Sequence, residues 1–336
     1  MNLDRNKTRR RASSAVAAFA LSVVLAPLGG GPANADGGYP TGPVKLLVAY
    51  GAGGGTDRQA RLLAGPLQDI LGQPVTVQNM PGGGGQVAAT AMLRGKADGH
   101  TILAANQPDI NMSVAFKNAP YKVEDLQVIM VDLFDPRILL VRKGSPLKTF
   151  DDFVKHAKAN PGKVTLSAST GGAQEQFAKW LFGRLKIDVR LVGYKGGSRS
   201  ANAMVGGHVD ATMGDDSARF NIRDKAHALL LGAPKRSPRW PEAMPMTEAL
   251  APYGITPPTD DFLGRYGVYV VPSAFKTAHP DRYAKLQKAM IAARQGKAFK
   301  DLLEKRKIAD LSIGAAGEGY TAAFRKGVDA IKAMSK

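Results

Sequence analysis

The chain has 336 residues, 46 Lys and Arg against 28 Asp and Glu, a formal net charge of +18 and no cysteine. The absence of cysteine excludes disulfides, thiolate chemistry, zinc–cysteine sites and a lipid-modified cysteine anchor. The positive charges are scattered and aromatics are sparse at 7%, which argues against a nucleic-acid partner and for small anionic ones.

Taken in chain order, a basic stretch (MNLDRNKTRRRASS) leads into the apolar run AVAAFALSVVLAPLG and an A-x-A site at Ala33-Asn34-Ala35. This is the layout of a cleaved secretory signal peptide over residues 1–35. The apolar run is shorter than the roughly 20 residues that span a bilayer. Nothing after Asp36 resembles a second span, so a soluble exported chain of about 300 residues is expected, enough for two buried cores.

KLLVAY (45–50) reads as a buried strand, and the helix after it carries Leu63, Leu67, Ile70 and Leu71 on one face. PVTVQN (74–79) is a second strand, and Pro81 to Gly85 opens the helix QVAATAMLRG. TILAAN (101–106), LQVIMVDLF (126–134) and RILLVRK (137–143) continue the sheet. The pattern then restarts with the helix TFDDFVKHAKAN, capped by Thr149. KVTLSAS (163–169), DVRLVGY (188–194), HVDATMGD (208–215), ALLLGA (228–233) and RYGVYVVP (265–272) read as strands, with helices between the first three and two more at the end. Alternation of this kind predicts an α/β fold with mostly parallel sheets, and two runs of it predict two lobes. Ligands of such sheets sit where the carboxyl ends of the strands meet the helices.

Four strand-to-helix junctions carry glycine-rich or small-residue turns, at 51–56, 81–85, 167–172 and 193–198. The first, GAGGGT, has Thr56 where a dinucleotide fingerprint needs Gly or Ala, and the next strand ends in Gln78-Asn79, not in an acid. No Gly-Lys-Ser or Gly-Lys-Thr follows, so a nucleotide is excluded. The turns instead suit a small dianion held by backbone N–H groups and hydroxyls, the hydroxyls coming from Thr56, Ser167, Ser169 and Thr170. Thr56-Asp57-Arg58-Gln59 has the form of a capping box that would start its helix at Thr56. The chain has no G-x-S-x-G, and its five histidines lack zinc spacing. An enzyme, a metal site and a cofactor are therefore not expected.

The first lobe, GPVKLLVAYGAGGGTDRQARLLAGPLQDILGQPVTVQNMPGGGGQVAATAMLRGKADGHTIL, resembles that of the Bug-type extracytoplasmic receptors of tripartite tricarboxylate transporters. NPGKVTLSASTGGAQEQFAKWLF, VGYKGGSRSANAMVGGHVDATM and GVYVVPSAF extend the resemblance over essentially all of the mature chain. It implies a two-lobed periplasmic binding protein of type II-like fold, a monomer that closes by a hinge on a small carboxylate and delivers it to a membrane permease. The same lobe pair would equally serve a membrane sensor kinase. Lobe 1 would comprise 36–138 and 265–336, lobe 2 would comprise 139–264, and crossovers would lie near 137–142 and 262–268.

By the same resemblance the ligand would meet Tyr50, Gly54, Gly55 and Thr56, and a second turn of Gly83, Gly84, Gly85 and Gln86. From lobe 2 it would meet Ser167, Ser169, Thr170, Gly171, Tyr194 and Asp215. Arg137 departs from the family pattern, and is either a bidentate carboxylate partner or a surface partner of Asp135 or Asp132. Asp215 and Asp216 would face an ammonium or hydroxyl, or pair with Arg219 at the surface. Gly65-Pro66 should interrupt the first helix.

Overall fold

In a computed structural model, described here for residues 38–257 and 263–334, the apolar runs become strands covered on both faces. The expected signal peptide lies outside the described residues. β1 (Val44–Val48) pairs in parallel with β2 (Val75–Asn79) on one side and β3 (Thr101–Gln107) on the other. The connections are α1 (Gly55–Leu71) and α2 (Gln86–Arg94), as strand–helix–strand units require. Successive residues Leu46 and Leu47 enter different apolar clusters, which is why this strand shows no polar alternation. α1 continues through Pro66 as a single 17-residue helix, so the expected interruption does not occur.

LQVIMVDLF and RILLVRK are not two strands. They form one 17-residue strand, β4 (Leu126–Arg142), that runs through Asp135-Pro136-Arg137. Up to Pro136 it pairs antiparallel with β10 (Gly264–Pro272), and from Arg137 onward with β7 (Ala211–Asp215) and β8 (Ala226–Leu231). A proline has no N–H for a ladder, and this one stands where the strand exchanges neighbours. β5 (Thr165–Ser169) pairs in parallel with β6 (Arg190–Tyr194) and with β7. The strand order is β2-β1-β3-β10-β4-β7-β5-β6. Mostly parallel sheets were expected, but the pairing is mixed. The strand–helix–strand units are parallel, while β4 and β10 run antiparallel through the middle.

Beyond Pro136, Phe150, Phe153, Leu166 and Phe177 make the core on one face and Ile138, Leu140 and Trp240 that on the other. α3 (Asp109–Phe116) follows β3, α5 (Ala173–Leu185) follows β5, α6 (Gly197–Val205) follows β6, and the short α7 (Asp216–Arg219) follows β7. The helix beginning at Phe150 has the expected cap: Thr149 Oγ accepts from Asp152 N at 3.0 Å, and Asp152 accepts from Thr149 N at 2.9 Å.

Candidate functional site

The carboxyl ends of β1, β3, β5, β6 and β7 and the start of β10 converge on a cavity of about 500 Å³. Its walls are the turns leading into α1, α5, α6 and α7, the position open α/β sheets use for ligands. Of the residues expected at the site, Tyr50, Gly54, Gly55, Thr56, Ser169 and Asp215 line it. Lys195 to Arg199 contribute a further wall at the start of α6.

The β1–α1 turn is held by side chains rather than by a capping box. α1 starts at Gly55 with Gly54 as N-cap, and Gly53 N donates to Asp57 Oδ2 at 2.8 Å. Thr56 Oγ1 donates to Asn106 Oδ1 at 3.0 Å, and Gln59 Oε1 has no partner. The Thr-x-x-Gln pattern therefore fails as a box, because tertiary contacts take its hydroxyl. At Gly55 a Cβ would stand 2.8 Å from Arg265 Nη2, so glycine is required there to let an arginine pass. Tyr50 OH donates to Asp109 Oδ2 at 3.2 Å, and burial followed by the Asp109 charge pushes that hydroxyl well above its usual range, so it stays protonated.

The other expected residues are elsewhere. Gly83 and Gly171 face each other across Lys117, whose Nζ donates to Gly83 O at 3.1 Å and also to Gly171 O. Gly84 packs at that same meeting point, and Gly85 and Gln86 lead into α2 away from the cavity lining. Ser167 is buried, donating to Ser200 O at 2.9 Å and accepting from Ser200 Oγ at 3.0 Å. Thr170 donates to Tyr194 O at 3.3 Å, and the Tyr194 ring packs against the Ile138–Trp240 cluster. None of these positions lines the cavity.

Arg137 answers to neither expectation. It is 1% exposed, donates to Asp215 Oδ1, and keeps Nε and Nη2 unpartnered outside the cavity lining. It is no surface partner of Asp135 or Asp132, since Asp132 pairs with Arg294 and Asp135 with Arg265. Asp215 also accepts from Gln174 Nε2 at 2.9 Å and lies 3.4 Å from Arg265 Nε. Arg265 in turn donates to Asn106 Oδ1 at 2.9 Å and to Asp135 Oδ2 at 2.8 Å. Asp135 collects Ser217 N and Oγ at 2.8 and 2.7 Å. Asp216 is buried against Arg239 at 2.6 and 2.8 Å, not exposed beside Arg219. A buried carboxylate needs such partners, because desolvation otherwise costs several kcal/mol per ion.

This leaves Arg219 alone. It is 3% exposed, lines the cavity, and has no carboxylate within ion-pair distance among the described residues. Its Nη2 donates to Met213 O at 3.3 Å and its Nε has no partner. Burial lowers its pKa to about 10, Asp215 only partly opposing. Two glycines make room for it: a Cβ at Gly214 would lie 2.4 Å from Arg219 Nε, and one at Gly197 2.9 Å from Nη2. Four cations reach the cavity (Lys195, Arg199, Arg219 and Arg265) against the carboxylates of Asp109 and Asp215. Among the lining residues the cations thus exceed the carboxylates by two. Sequence reasoning missed Arg219 as a site residue, along with Arg265, Asn106, Asp109 and Gln174. The one available signal was a cation opening an otherwise apolar strand, at Arg265.

Residues 59–315 match the family model described as "Tripartite tricarboxylate transporter family receptor". A protein of the gbd 5′ region in Cupriavidus necator is 32% identical over 256 residues, 74% of this chain and 77% of that one. Protein BugT of Bordetella pertussis is 32% identical over 234 residues, 68% of this chain and 71% of its own. Among solved structures, MatC from Rhodopseudomonas palustris with bound malate has a TM-score of 0.77 at 22% identity, over 89% of this chain and all of the other. The periplasmic binding protein BugD has a TM-score of 0.76 at 24% identity, over 88% and 97%. At such identities the structures show the fold, an α/β periplasmic binding protein. On sequence and fold together, the chain belongs to the receptor family of the tripartite tricarboxylate transporters, whose members are solute-binding proteins and not enzymes.

Proposed function

We propose that this chain works in the periplasm, capturing a small dicarboxylate in the cavity and handing it to a membrane permease of the tripartite type. The observation that carries the reading is Arg219, a buried guanidinium on the cavity wall with no carboxylate at ion-pair distance among the described residues. A ligand carboxylate there would supply the missing counter-charge, and Lys195 and Arg199 are available to the second one. In support, two R. palustris proteins of this fold are described with malate and with adipate. Lobe 1 (36–138 and 265–336) and lobe 2 (139–264) close over the ligand as a monomer, by rotation about the strands they share.

The test is thermal unfolding and calorimetry on protein beginning at Asp36, stripped of ligand by unfolding and refolding. Malate, glutarate, adipate, citrate, aromatic carboxylates and acidic amino acids form the panel. At 100 times its Kd a ligand adds about 2.7 kcal/mol, or roughly 5 °C in a chain of this size. A linear dicarboxylate is expected to give that shift. Silence across every carboxylate refutes the proposal.

A further inference from the structure

We propose that Asp109 acts as a built-in carboxylate that restricts the site to ligands with two carboxylates and turns away a third. The inference rests on the dicarboxylate reading above and specifies what selects within it. The N-terminus of α5 is the kind of place where a ligand anion docks, with free N–H groups and the positive end of the helix dipole. Its N-cap, Gly172, offers no side chain. The cap comes instead from 64 residues upstream, where Asp109 Oδ1 accepts from Ala173 N at 2.5 Å.

The carboxylate is fixed at both oxygens. Oδ2 accepts from Tyr50 OH at 3.2 Å, and Tyr50 OH itself accepts from Asn106 N at 3.2 Å. Asp109 is only 8% exposed, yet it remains part of the cavity wall. Even a Cβ on Gly172 would stand 3.0 Å from Asp109 Oδ1, so no second anion fits between them. Lys117, on Gly83 O and Gly171 O, is the nearby cation, and the Asp109 charge opposes the downward pull of burial on its pKa. Asp109 therefore takes the helix end that a third carboxylate would need, and its charge repels one that approaches.

The experiment compares glutarate with propane-1,2,3-tricarboxylate, which adds one carboxylate to the same five-carbon length, by calorimetry on wild type, Asp109→Asn and Asp109→Ala. Wild type is expected to favour glutarate at least tenfold. Both variants should narrow that preference at least tenfold, mainly by gaining the tricarboxylate. An unchanged ratio, or equal loss of both ligands, overturns the proposal. Failure of wild type to bind any dicarboxylate refutes the underlying reading, and this inference with it. A measurement independent of the variants is amide exchange at Ala173 in ligand-free wild type. Slow exchange is expected there, and exchange at the rate of an open amide overturns the cap.

Discussion

Replacing Arg219 by methionine should move stability and affinity in opposite directions. The guanidinium is charged in folded and unfolded chains at pH 7, but burial lowers its folded pKa to about 10, below the usual arginine range. A base with a depressed folded pKa destabilises the fold at every pH below that value, and the penalty fades only as pH climbs above 10 toward the unfolded value. At roughly 1.4 kcal/mol per pH unit, a depression of that size corresponds to a net penalty on the order of 3 kcal/mol in the ligand-free protein, mostly from burial. Methionine fills similar space without charge and forfeits the Nη2 bond to Met213 O, worth about 1 kcal/mol. The ligand-free variant should therefore gain about 2 kcal/mol, or roughly 4 °C in Tm. Its dicarboxylate affinity should fall by about 2–5 kcal/mol, some thirtyfold to several-thousandfold, because a desolvated ligand charge loses its partner. Thermal unfolding with and without ligand, together with calorimetry, reads both effects. A ligand-free variant less stable than wild type, or a Kd within threefold of it, would refute the reasoning.

Gly214→Ala keeps the charge but places a Cβ 2.4 Å from Arg219 Nε and 2.6 Å from its Cγ; overpacking should cost about 1–3 kcal/mol and weaken dicarboxylate binding at least tenfold by calorimetry. Arg265→Met strips Asp135 and Asp215 of a shared buried cation, so denaturant unfolding should show a loss of about 3–5 kcal/mol. Thr149→Ala removes a capping box far from the cavity and should cost about 1 kcal/mol in Tm measurements while leaving Kd unchanged.

The elements were legible in the sequence because apolar runs and helical stripes are local. The family was legible too, since its signature lies in turn spacing. What the sequence hid is the pairing of charges. Asp215 and Arg137 are 78 residues apart in the chain, and Asp135 and Arg265 are 130 apart. Nothing local tells such pairs from solvated surface charges in a chain of formal charge +18. The capping box at Thr56 failed for the same reason: Asn106, 50 residues on, takes the hydroxyl. LQVIMVDLF and RILLVRK read as separate runs because Asp135-Pro136 interrupts the apolar pattern, and a proline lacks the N–H of a ladder. Pro136 is tolerated because β4 changes partners beside it.

The four glycine turns look alike in sequence, but they divide into two tasks, and the division explains where the site's charge must come from. The turns at 51–56 and 193–198 form much of the cavity wall, whereas those at 81–85 and 167–172 reach it only through Pro81 and Ser169 and meet each other around Lys117. Two turns are thereby removed from the supply of backbone N–H groups, and Asp109 occupies the end of α5 that the last of them would have offered. A site with fewer free amides needs side-chain cations to hold a dianion. Arg137 pairs with Asp215 outside the cavity lining, and Arg265 is divided between Asp135 and Asp215. Arg219 is the buried cation left to do it. Because α7 also sends Ser217 to Asp135 and the Ala218 carbonyl to Arg58, a ligand on Arg219, as proposed, would bear on the segment that ties β4 to α1. In the proposed two-lobe motion, that tie would carry ligand binding to the shared strands.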